Sequence, residues 1–262
     1  MQGQRPARAL QHYTSNFVLV NFAGTDGALW IADKGSGRCW VRRSRSHPPR
    51  YDAFAQNQYV PTDVDEVLTE RESAAAPVMR KVIKSARAGV APDLPLADKE
   101  DLCAFLFVQI VRAPRVKQWA EKLDSQALYE MLTDRLTSAA DARHPERTFF
   151  RRMMEMPLEV GRVRPDAALP LLIGDEPCLA RAQYAESDEQ LGNGPFGVPD
   201  QVIMPVAKDV YVQLSLPDNF AGGFHELDIE YVKALNAQIV SKAQRFVAGP
   251  TKVSVMQGLS TL

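Results

Sequence analysis

Several polar residues that could do chemistry stand where helical spacing asks for apolar ones. Glu72 lies four residues after Leu68, three before Ala75 and seven before Met79, which puts it on the apolar face of a helix. Gln109 interrupts the apolar run "LCAFLFVQIV", and Arg112 follows one turn later on the same side. Asn236 sits inside a stripe made by Ile229, Val232, Ile239, Ala243 and Phe246. Burying such groups unpaired is costly, so each must find a partner. Two more residues join them. His12 opens the apolar run "QHYTSNFVLVNF", and Asp175 ends the strand-like "ALPLLIG" just before Pro177.

A histidine with two carboxylates, here His12, Glu72 and Asp175, suits a divalent cation that activates water against a phosphodiester or similar bond. Arg112 would stabilise the developing negative charge. That is a metal-dependent hydrolase or nuclease-like enzyme, of a kind that genome defence would use. Two other readings stay open. The same residues, with the amides of Gln109 and Asn236, would bind a small anionic or nucleotide ligand without reacting it. Or Glu72 pairs with Arg112 and Gln109 with Asn236, and the cluster only locks three helices together.

Elements must position these groups. "SNFVLVNF" follows Thr14 and Ser15, both good N-caps, and reads as a short helix or a strand. "ALWIAD", "KGSG" and "RCWVRRS" read as a hairpin. The spacing predicts a helix over 63–87, a second from near Asp98 through "EDLCAFLFVQIVRA", bent at Pro114 and continued to about 140, and a last one over "LDIEYVKALNAQIVSKAQRFVAG". "RTFFRRMMEM" adds a helical piece, and "QVIMPVAKDVYVQLSL" two strand segments. The class is α+β: a small antiparallel sheet with an N-terminal hairpin packed against several long helices, in one domain over 1–262 with 1–11 loosely ordered.

Composition narrows the classes. A formal net charge of −1 gives no global pull toward nucleic acid or acidic membranes. One local exception is "RCWVRRSRSHPPR", residues 38–50, with five arginines and no acid. Strand alternation puts Arg43 and Arg45 on one face, where they would contact phosphates or a nucleic-acid backbone, or merely keep an edge strand soluble. Cys39, Cys103 and Cys178 are odd in number and contain no CxxC, which disfavours a disulfide framework or zinc ribbon and fits a reducing cytoplasm. No apolar run has the length of a membrane span, and the N-terminus lacks a secretory apolar core. His47, His144 and His225 stand in loop-like stretches and read as surface residues. No HExxH, phosphate loop or G-x-S-x-G elbow is present.

The chain resembles the bacterial family called domain of unknown function 4238. That family opens with a segment like "QHYVPQFYLRNF", matched here at Gln11, His12, Tyr13, Phe17, Leu19, Asn21 and Phe22. Its hairpin, its "E…aaPvl" helix (Glu72, Ala75, Ala76, Pro77), its "Q..RtPrf" (Gln109, Arg112, Pro114, Arg115), its "fltSDnPv" (Asp175, Pro177), its "fPlsp" ("IMPVAKD") and its "lN..qi" segment (Asn236) follow in the same order. The resemblance implies that His12, Glu72, Gln109, Arg112, Asp175 and Asn236 are the family's marked polar positions. It names no activity and no cofactor. The departures are Thr14–Ser15 for Val-Pro, Ala113 for Thr, Gly174 for Ser and Glu176 for Asn. Any ligand that the Ser and Asn around Asp175 bind in relatives would be held differently here.

Overall fold

The structure is a computed structural model describing residues 10–12, 14–43, 55–57, 62–111, 113, 152–181, 200–216 and 222–260, with backbone alone at 10–12, 55–57, 62–68, 111 and 181. The expected bend at Pro114, the helix beyond it, Arg45, His47, Arg112 and His144 lie outside the described residues, as do residues 1–9 of the basic lead.

Two sheets and a set of helices make the α+β architecture. The first sheet is built around the expected hairpin, β2 (Ala28–Asp33) and β3 (Cys39–Arg43). It has strand order β3-β2-β11-β6, all antiparallel, with β6 at Ile173–Gly174 and β11 at Phe246–Gly249. The second has five strands in the order β10-β5-β9-β8-β7: β5 (Leu158–Val163), β7 (Leu179–Arg181), β8 (Gln201–Ala207), β9 (Val210–Ser215) and β10 (Gly223–Leu227). Only β10 and β5 run parallel. A short pair joins β1 (Leu10–His12) to β4 (Ala55–Asn57).

Among the helices, α1 (Asn16–Leu19) continues as a tight turn over Val20–Phe22. The long helices are α2 (Thr62–Arg87), α3 (Leu96–Val111) and α4 (Ile229–Lys242), with a short α5 (Lys252–Leu259). The apolar side of α2, with Ala75, Val78, Met79, Val82 and Ile83, packs beside α3 and against β5, β8 and β9. Residues Leu102–Val108 of α3 are buried all round, as an apolar run without a polar face requires. No helix of the described residues is long and apolar enough to cross a membrane.

Three strands of the two larger sheets emerge where the sequence pointed elsewhere. The last helix stops at Lys242, and Phe246–Gly249 forms β11 inside the first sheet. Strands β5 and β10 fall in stretches that carried no strand expectation. The end of α4 is held by Lys34, whose Nζ donates to the carbonyls of Val240 at 2.6 Å, Ser241 at 3.3 Å and Ala243. A cation on the unpaired carbonyls of a helix C-terminus is favourable. Lys34→Met is expected to lower stability by about 1–2 kcal/mol in urea titration, the range for a charged, part-buried contact of this kind.

Candidate functional site

Two of the sequence-derived polar positions, Glu72 and Gln109, meet at Ser15 in the Thr14–Ser15 turn. Ser15 takes the N-cap position of α1, but its hydroxyl does not cap that helix. It donates instead to Glu72 Oε1 at 2.6 Å, and it accepts from Gln109 Nε2 at 3.0 Å. Thr14 Oγ1 donates to the carbonyl of Gly174 at 3.2 Å, next to Asp175. The N-terminal segment, α2, α3 and the 174–177 turn therefore share one buried junction. Gln109 is fully buried, and its Oε1 has no partner among the described residues. The backbone of His12 lies two residues from Thr14, in β1; its side chain and all of Arg112 lie outside the described residues.

The expected amide pair is corrected. Gln109 bonds Ser15, while Asn236 bonds the loop before β6, accepting from the Leu172 amide at 2.9 Å and donating to the Pro170 carbonyl at 2.9 Å. Asp175 is likewise committed to backbone. Its Oδ1 accepts from the Gln244 amide at 2.9 Å, and its Oδ2 from the Arg245 and Phe246 amides at 3.0 and 3.1 Å. Those three amides follow α4, so the carboxylate organises the switch from helix to β11. Burial pushes the Asp175 carboxyl above its usual range, and the three N–H donors pull against that shift. Glycine at 174 lets β6 approach α4, because a Cβ there would meet the Ala243 Cβ at 2.9 Å. Arg43 is exposed at the hairpin edge and reaches Asp26 at 3.4 Å, a pairing that solvent screening makes weak.

A second cluster, on the five-stranded sheet, was not foreseen. Tyr211 on β9, Gly161 on β5 and His225 on β10 stand in one register row across three strands. With no side chain at Gly161, the Tyr211 ring lies across that position; a Cβ there would come within 1.9 Å of the ring. Glu159, two residues along β5, projects on the same face. The Tyr211 hydroxyl lies 2.8 Å from Glu159 Oε1 and 2.9 Å from His225 Nε2, and His225 Nε2 also contacts Glu159 Oε1. Phenol, carboxylate and imidazole thus form a closed triangle. Burial, with help from Tyr231 and Glu159, pushes the Tyr211 hydroxyl well above its usual range, so it stays protonated and acts as a donor. The Glu159 side chain is 2% exposed and that of His225 is 37% exposed, so the imidazole is the group a solute would meet.

The loop-like reading of His225 is corrected, since it lies within β10, which follows the positive-φ residues Gly222 and Gly223. A usable signal was present all the same. In "VYVQLS", Tyr211, Gln213 and Ser215 alternate with the apolar Val210, Val212 and Leu214, which marks a strand with one polar face. Among the described residues, no group of three His, Cys, Asp or Glu side chains is placed to hold a metal ion.

No curated protein and no solved structure matches the chain. One family model, described as "Protein of unknown function (DUF4238)", matches residues 10–252. With a match over most of its length, the chain belongs to the DUF4238 family.

Proposed function

We propose that the protein is a hydrolase working by acid–base chemistry at the Glu159–Tyr211–His225 triangle. The observation that carries this reading is a half-exposed imidazole held by a buried carboxylate that a buried phenol also bonds. A carboxylate behind a histidine fixes its ring and favours the imidazolium that forms when it takes a proton. In the reaction a water oxygen bonds to the electrophilic centre of the substrate. The water gives a proton to the Glu159–His225 pair, the bond to the leaving group breaks, and the pair returns the proton to the leaving atom. Tyr211 keeps its own proton throughout and holds Glu159 in place.

The test is a panel of chromogenic esters, phosphomonoesters and phosphodiesters. Hydrolysis of one class is expected, with a loss of roughly 10²–10⁴-fold in His225→Ala and Glu159→Gln, the usual worth of a positioned acid–base group. Glu72→Gln should retain it. Activity that survives both of the first two substitutions sinks the proposal.

A second reading keeps the nuclease-like chemistry at the N-terminal junction. What favours it is the Gln109 Oε1, which has no partner among the described residues, beside Ser15 and Glu72. There a divalent cation would need His12 and Glu72, since both Asp175 oxygens are occupied by amides. A Mg²⁺- or Mn²⁺-dependent rise in Tm that His12→Ala abolishes would favour this reading over the first. Phosphate contacts through Arg43 and Arg45 belong to the same reading.

A further inference from the structure

A further aromatic ring stands against the triangle, and part of it faces solvent. Tyr231 is the third residue of α4, where its backbone N–H donates to the N-cap Asp228 Oδ1 at 2.7 Å. Its ring centre lies 5.8 Å from that of Tyr211, with the planes 33° apart, and the residue is 39% exposed. His225 meets the same ring, with centres 6.2 Å apart and its side chain 37% exposed. Both separations fall in the range of attractive aromatic contacts. The fully buried Tyr211 therefore backs two rings that a solute can reach, and the two separations bound the distance between their centres at about 12 Å. The charges near Tyr231 are already matched. Glu226 bonds Arg162, Glu230 pairs with Lys233 at 2.8 Å, and Asp228 caps α4.

We infer that Tyr231 is a specificity residue of the hydrolase, that its exposed ring binds a neutral aryl group of the substrate, and that the substrate class is an aryl ester. A tyrosine ring offers a large apolar face at little entropic cost, because two side-chain torsions place it. Here the helix cap fixes its backbone and the Tyr211 ring supports it from behind, so an aryl group stacked on it meets a prepared surface. The bound on the separation lets one small substrate touch Tyr231 and the imidazole together. Matched charges favour a neutral ester over a phosphoester, whose anion would look for an unmatched cation. The ligand's identity as substrate rests on the hydrolase reading, while recognition of the ring is tested separately.

The experiment is an NMR titration of the full chain with acetanilide, a neutral aryl probe, against N-cyclohexylacetamide, which has similar size and no π-system. Saturable shifts at Tyr231 and His225 are expected with acetanilide in the millimolar range, and binding of the cyclohexyl probe should be severalfold weaker. Tyr231→Phe keeps the ring and should bind like the parent. Tyr231→Leu and Tyr231→Gln both remove it, and whichever folds should weaken acetanilide by about threefold to tenfold, the worth of one aromatic contact. Val253→Ser, which removes an exposed apolar side chain from α5, should change nothing. In hydrolysis, the ring-less variants should raise KM for phenyl acetate with kcat nearly kept, and leave ethyl acetate unaffected. No saturable shift, equal binding of the two probes, or parental binding by the ring-less variants overturns the inference. So does a Phe variant as weak as the ring-less ones, or a Val253→Ser variant equally weakened. Acetanilide binding that depends on the Tyr231 ring, with hydrolysis indifferent to His225, leaves the recognition standing and removes the hydrolase reading. Ester hydrolysis that depends on His225, with neither binding nor KM responding to Tyr231, does the reverse.

Discussion

Gly161→Ala should cost the chain about 4 kcal/mol, the upper end of single-residue effects and a large share of the roughly 5–15 kcal/mol that holds an ordinary domain folded. The added Cβ would stand 1.9 Å from Tyr211 Cε1, 2.6 Å from Cδ1 and 2.9 Å from Cζ. Those are three atoms of one rigid ring, and Tyr211 is buried with no measurable exposure. Neither of the two ways to relieve the clash is cheap. Pushing β5 and β9 apart breaks a register of paired strands, and overpacking of this sort costs roughly 1–3 kcal/mol. Swinging the ring out strips Glu159 of the Tyr211 hydroxyl, and a buried charged group that loses a partner costs a further 1–3 kcal/mol or so. A double-mutant cycle separates the terms: Gly161→Ala in a Tyr211→Leu background should recover much of the loss, because the flexible leucine can yield to the new methyl. Urea midpoints for the four proteins give the coupling. A loss under about 1 kcal/mol for Gly161→Ala alone would mean that Tyr211 does not cross the Gly161 position, and the triangle would have to be redrawn.

The contrast between the two clusters shows what a sequence can and cannot carry. Glu72, Gln109 and Asn236 were legible because helical periodicity makes an apolar stripe visible and a polar interruption within it conspicuous. Gln109 and Asn236 are indeed buried, and Glu72 is half-buried. Their partners were not legible. Side-chain pairing depends on which helix faces which loop, and Asn236 meets Pro170 and Leu172 rather than Gln109. The hairpin and the β8–β9 pair were legible from turn residues and β-prone runs. Strands β5 and β10 were not, because a short segment such as "LEVGRV", whose alternation Arg162 breaks, reads equally as an exposed strand or a polar loop. Only its pairing, with parallel β10 on one side and β9 on the other, turns Glu159 inward. Strand β11 was masked by the helix before it. The periodicity of α4 continues through Ala243 to Phe246, and what ends it is a carboxylate 69 residues away in sequence, Asp175.

That carboxylate makes the other large effect. Asp175→Ala leaves the amides of Gln244, Arg245 and Phe246 without their acceptor. Gln244 and Arg245 are exposed enough for water to replace it, whereas Phe246 begins β11 and is half-buried. Each hydrogen bond to a charged acceptor contributes about 1.5–3 kcal/mol, and with two of the three partly rescued by water the net loss should be about 3 kcal/mol. The pH dependence has a definite sign. Burial raises the folded-state carboxyl above its ordinary value of 3.8, so between that value and the folded one the native state binds more protons than the unfolded state. Stability must then fall as pH rises through this window and level off above it. Asp175→Ala should lower stability at every pH and remove that contribution to the slope. Asp175→Asn keeps one acceptor and no charge, so it should lose less than the alanine variant and also lack the slope. Urea midpoints across acid to neutral pH measure all three proteins. If Asp175→Ala stays within about 0.5 kcal/mol of the parent, the range of an ordinary surface substitution, the carboxylate is not what turns α4 into β11. Asp175 would then return to consideration as a ligand of the N-terminal junction, beside Glu72 and His12.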